Sequence, residues 1–131
     1  MDRADFPEHI TSIVPVIREG NPLTRAYLLK KMPKPLYQHP LVINEVYKNY
    51  PSFDLNSKTL LIKNLEYSTP TAVLFLAEQL SSLSENQLKS FLSAIDKMQV
   101  VATIKDQLSA FSEDQSAPYH YIVKDFLEDE E

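Results

Sequence analysis

The chain has no cysteine, and with it go disulfide frameworks, thiolate metal sites and thiol nucleophiles; the composition suits a reducing compartment. It has one glycine in 131 residues, Gly20. Glycine-built phosphate loops, nucleophile elbows and oxyanion turns therefore have nothing to stand on, and no P-loop or G-x-S-x-G pattern occurs. Tryptophan is also absent, which excludes nothing. No apolar run approaches the roughly 20 residues needed to cross a bilayer; the longest candidate is Ala72 to Ala77. The start, Met1-Asp2-Arg3-Ala4-Asp5-Phe6-Pro7, has neither a basic nor an apolar region of the kind a secretory signal carries, so the expected location is cytoplasmic, with no membrane contact.

What is abundant is apolar side chain, 44% of residues, enough for a real core at this length, together with nine prolines. The prolines divide the chain. Asn21-Pro22, His39-Pro40 and Thr69-Pro70 each place proline after a residue able to cap a helix, at the position whose N–H has no intrahelical partner.

Between the dividers, apolar residues recur at helical spacing. Helix one is expected from near Pro7, capped by Asp5 or Phe6, with Ile10, Ile13, Val14 and Ile17 on one side, a kink or break at Pro15, and Gly20 in a left-handed closing position. Helix two is expected over Pro22 to Met32, with Leu23, Ala26, Tyr27, Leu28 and Leu29 forming a broad apolar face. Helix three follows Pro40 with Val42, Ile43, Val46, Tyr47 and Tyr50 together. Helix four spans about 56–66, capped by Asp54 or Asn56. A fifth helix from Pro70 through Leu83 has the widest stripe and is expected at the centre.

Ser84-Glu85-Asn86-Gln87 is a capping-box pattern opening helix six. After Met98 the stripe moves one residue out of phase, and the β-branched group Val100, Val101, Thr103 and Ile104 favours a break there. A last helix is expected from Pro118 to about Leu127. The acidic residues 128–131 sit at the negative end of its dipole and are expected to fray.

These elements predict an all-α fold, a compact irregular bundle of six to seven short antiparallel helices occupying 1–127 as one domain, with 128–131 an acidic tail. Pro7, Pro40 and Pro70 recur at a period that resembles helical-hairpin arrays such as HEAT or tetratricopeptide repeats. The Trp-Leu-Gly-Tyr pattern of tetratricopeptides is absent, so a short HEAT-like array is the alternative to the bundle.

The net charge of −5 is unevenly spread: residues 1–66 carry nine Lys/Arg against seven Asp/Glu, and residues 67–131 carry four against eleven. The basic concentration lies at the end of helix two, where Arg25, Tyr27, Lys30, Lys31, Lys34 and Tyr37 interleave cations with aromatics. Lysines at a helix C-terminus are favoured by the dipole alone. A partner-binding reading adds Tyr47 and Tyr50, which with Tyr27 and Tyr37 would line an aromatic groove between helices two, three and four. His9, His39 and His120 lie far apart without metal-ligand spacing; His39 reads as a cap before Pro40, and no metal or cofactor is expected.

The function expected is a non-enzymatic protein-protein interaction or regulatory module whose partner is another protein or a second copy. The alternative is a nucleic-acid or nucleoprotein-associated factor using the basic patch. The acidic balance of the whole chain counts against nucleic acid, because phosphate binding accumulates with positive charge.

Overall fold

A computed structural model describes residues 9–130. The expected start at Pro7, its cap at Asp5 or Phe6, and Glu131 lie outside the described residues. The fold is all-α, with no strand among the described residues.

Among the described residues seven α-helices form: α1 (Ile10–Glu19), α2 (Pro22–Lys31), α3 (Leu55–Lys63), α4 (Pro70–Ala77), α5 (Glu85–Met98), α6 (Lys105–Glu113) and α7 (His120–Glu130). Between α2 and α3 the chain takes a 3-10 segment, Lys34–Gln38, a π-helical segment, Val42–Tyr47, and a further 3-10 turn, Tyr50–Ser52. The wider π turn is closed by the Lys48 N–H donating to the Ile43 carbonyl at 3.1 Å. His39 caps its entry, as expected, through Nδ1 accepting from the Leu41 N–H at 3.1 Å.

Among the described residues the helices pack as the compact bundle expected, and within it they follow one another as four stacked hairpins in two layers. In one layer α1 packs on segment 42–47, which packs on α4, which packs on the 3-10 turn Val101–Ile104 leading into α6. In the other, α2 packs on α3, α3 on α5 and α5 on α7. The proline spacing offered this order only as the alternative to an irregular bundle, and the buried residues follow it. Ile13, Val14, Ile17, Leu28, Leu29 and Met32 are matched thirty-three residues on by Val46, Tyr47, Tyr50, Leu61, Ile62 and Leu65. Those are matched thirty residues on by Leu76, Ala77, Leu80, Phe91, Leu92 and Ile95, every one buried. Ala77, Leu80 and Leu92 are then matched thirty-one residues on by Leu108, Phe111 and Val123. Each fully buried side chain of this kind contributes about 1.5–3 kcal/mol, so a repeated pattern of burial repeats a packing unit.

A polar cap recurs in step with the core. Asn21 accepts from the Thr24 N–H at 2.9 Å, Asp54 from the Ser57 N–H at 3.0 Å and Ser84 from the Gln87 N–H at 3.2 Å, opening the second helix of three successive hairpins. The Ser84 box is reciprocal, because Gln87 Oε1 accepts from the Ser84 N–H at 3.0 Å. Thr69 departs from the expectation: its hydroxyl caps nothing and, among the described residues, has no hydrogen-bond partner.

Other expectations are corrected. Helix α1 runs through Pro15 without a break; the carbonyl that loses its donor belongs to Thr11, which is exposed and open to water. Gly20 has φ −73° and ψ 171°, not a left-handed conformation. Glycine is required there for space, since a Cβ would lie 2.3 Å from the Val16 carbonyl oxygen. Leu23 is 85% exposed rather than part of a buried face. The helix expected from Pro70 to Leu83 ends at Ala77, and Leu80 is buried from a 3-10 turn. The break after Met98 occurs where expected, through Gln99 at φ 59°. Helix α7 starts at His120, after Tyr119 at φ 59°, and residues 128–130 remain helical instead of ending near Leu127.

Candidate interaction surface

Helix α2 stops at Lys31 because Met32 turns to an extended conformation and two prolines, Pro33 and Pro35, follow. This end gathers the exposed cations. Lys30, Lys31 and Lys34 point to solvent, with Tyr27, 49% exposed, one turn back on α2. The Lys31 ammonium lies 5.9 Å from the Tyr27 ring centre and the Lys34 ammonium 4.5 Å from that of Tyr67, within cation–π range. Among the described residues, no carboxylate lies within 4 Å of Lys30, Lys31 or Lys34.

The other residues expected at this surface are interior, and the aromatic groove does not open. Tyr37, Tyr47 and Tyr50 are 1%, 0% and 1% exposed. The Tyr37 hydroxyl donates to the Leu29 carbonyl at 2.8 Å and that of Tyr47 to the Leu61 carbonyl at 2.9 Å. Both carbonyls belong to last turns, of α2 and α3, where helix geometry leaves acceptors without partners. The two rings meet edge to face, centres 6.5 Å apart. Burial pushes the Tyr37 and Tyr47 hydroxyls well above the usual phenol range and that of Tyr50 up to about 12, so all three stay protonated at neutral pH.

Arg25 is also structural. Its Nε donates to the Ile17 carbonyl at 2.7 Å, and one terminal nitrogen reaches the Arg18 and Gly20 carbonyls at 3.2 and 2.9 Å. The other pairs with Asp54 at 2.9 Å, and the guanidinium lies 4.3 Å from the Phe53 ring centre. One side chain thus closes the end of α1 and ties it to the cap of α3. Burial works to raise the Asp54 carboxyl, but the Ser57 hydroxyl and N–H and the Arg25 guanidinium outweigh it and hold it below the usual value.

Two shallow clefts adjoin the exposed lysines. The first, about 270 Å³, is lined by Lys34, Pro35, Gln38, Glu66 and Tyr67. The second, about 280 Å³, shares Glu66 with it and continues over Lys63, Lys89, Ser90, Ser93, Ala94 and Lys97. Lys97 stands 3.6 Å from Glu66, and Lys89 is 3.1 Å from Glu85 one turn back on α5. Sequence reasoning missed these residues, because they are scattered over α3, the 3-10 turn Leu65–Tyr67 and α5. The signal that finds them is the hairpin period: Lys63 is the counterpart of Lys30 thirty-three residues on, each following a buried leucine or isoleucine pair.

A further cleft, about 530 Å³, lies between α6 and α7 among Ser109, Ser112, Glu113, His120, Tyr121 and Lys124. His120 Nδ1 sits 3.2 Å from the Ala117 carbonyl, so part of its hydrogen-bonding capacity is directed at the turn entering α7. Among the described residues there is no group of three or more His, Asp or Glu placed to hold a metal ion, and no helix long and apolar enough to cross a membrane. Comparison of the chain with protein-family models, curated proteins and solved structures finds no match.

Proposed function

We propose that the protein is a non-enzymatic interaction module that recognises an acidic protein segment through the surface formed by Tyr27, Lys30, Lys31 and Lys34. One observation carries this reading: three solvent-facing lysines without a carboxylate neighbour among the described residues, in a chain whose net charge is −5. The helix dipole favours cations at this end of α2, but it leaves their charge available. Tyr27, with Leu23 one turn behind it, adds exposed apolar area of the kind that anchors a partner beside a charged rim. Three charges steer association more than they hold it.

A fluorescently labelled oligoglutamate peptide tests the reading by anisotropy at low salt. Reversing Lys30, Lys31 and Lys34 to glutamate should weaken binding about tenfold or more, and Tyr27→Ala should weaken it at every salt concentration. Binding unaffected by the reversal would remove this surface as the contact. A single-stranded oligonucleotide bound more tightly than the peptide, with affinity lost steeply as salt rises, would point to nucleic acid instead.

A further inference from the structure

We infer that the acidic partner lies extended across the hairpins, from the end of α2 over α3 to α5, along a row of lysines set by the repeat. This rests on the reading of Lys30, Lys31 and Lys34 as a binding surface and names the shape and spacing of what binds there.

The row follows from the period. Lys30 comes directly after the buried Leu28 and Leu29, and Lys63 directly after the buried Leu61 and Ile62, so both occupy the same exposed position on consecutive stacked helices. On α5 the counterpart is Ser93, exposed, with Lys97 and Lys89 one turn to either side. Two adjoining clefts carry the path on from Lys34, just beyond the end of α2, to the α3 and α5 positions. Lys34 and Tyr67 border the first, Lys63, Lys89 and Lys97 border the second, and Glu66 belongs to both.

Spacing selects the occupant. Stacked helices lie about 8–10 Å apart, and a chain extended as polyproline II advances about 3.1 Å per residue with three residues per turn, so that every third side chain returns to the same face. A ligand crossing the helices therefore meets a cation roughly every third residue. A continuous run of negative charge does not fit well, because Glu66 stands between Lys34 and Lys97 and would repel it. A peptide with acidic side chains at that interval, and small polar residues between them to meet the Ser90 and Ser93 hydroxyls, fits both the cations and the interruption. The uninterrupted phosphates of a nucleic acid fit it less.

The test uses two labelled peptides of roughly twelve residues and identical composition, one with glutamate at every third position and one with the glutamates in a block. Binding to the full chain is followed by anisotropy, with circular dichroism confirming that each variant keeps its helix content. The spaced peptide should bind more tightly than the blocked one. Lys63→Glu and Lys97→Glu should each weaken it about tenfold, while Lys105→Glu, exposed on α6 away from the row, should leave it unchanged. Equal affinity for the two peptides overturns the inference. So does binding that depends on Lys30, Lys31 and Lys34 but ignores Lys63 and Lys97, an outcome that leaves the proposed function standing. Binding indifferent to both sets removes both.

Discussion

Arg25 joins the first two hairpins through one side chain. Its side chain is 9% exposed, and that of its partner Asp54 is 24% exposed. Lysine keeps the charge but cannot reach three carbonyls and a carboxylate at once, because it lacks the planar fork. Arg25→Lys should therefore cost about 2–4 kcal/mol in urea unfolding, with buried acceptors left unpaired. Asp54 adds a pH signature. Its folded carboxyl titrates below its unfolded value, so the stability it contributes is present above about pH 4 and is lost as pH falls through the folded value. Acid unfolding of the native chain should be steeper below pH 4 than that of Asp54→Asn, measured as the denaturant midpoint against pH. The role of Arg25 was not legible in the sequence, where it stands two residues from Tyr27 in a cation-rich stretch. Its partners lie five to twenty-nine residues away and meet it only once α1, α2 and α3 have stacked. Tyr37 and Tyr47 were misplaced for the same reason, since their acceptors are the ends of other helices, and Tyr50 is buried in the same core.

Individual elements were far more legible, because capping and helix breaking are local chemistry. The Ser84 box, the Asp54 cap, the His39 cap and the break at Gln99 all appear where the residues announced them. Ser84→Ala should lower stability by about 1 kcal/mol, read from thermal unfolding, with Gln87 losing its reciprocal role. Gly20 was placed correctly as a terminator but for the wrong reason, since its φ is ordinary and its neighbour is close. Gly20→Ala must push the Val16 carbonyl aside and should cost about 1–3 kcal/mol by chemical denaturation. A left-handed glycine would instead tolerate asparagine, so Gly20→Asn should be at least as damaging as Gly20→Ala. The fifth expected helix failed at its end because apolar periodicity alone cannot distinguish a continuing helix from a turn that keeps Leu80 and Leu83 in the same core.

At the scale of the molecule, a single cluster of buried residues runs from Ile10 to Val123, and each hairpin packs mainly on its neighbours. The middle hairpins are supported on both sides. Hydrogen exchange should therefore be slowest for amides of segment 42–47, α3 and α5 and fastest for α7, whose last turn carries Glu128 and Asp129 at the unfavourable end of its dipole. Equal protection along the whole chain would contradict nearest-neighbour support. The thirty- to thirty-three-residue recurrence also means that the units are nearly interchangeable stations. A tandem copy of residues 40–69 set between the second and third units would offer a matching flank to each, and the molecule would grow by one tread like a staircase. Whatever lies across its charged banister would then have one more handhold, so reach along the partner would be fixed by the number of units and the spacing of its contacts by their thickness.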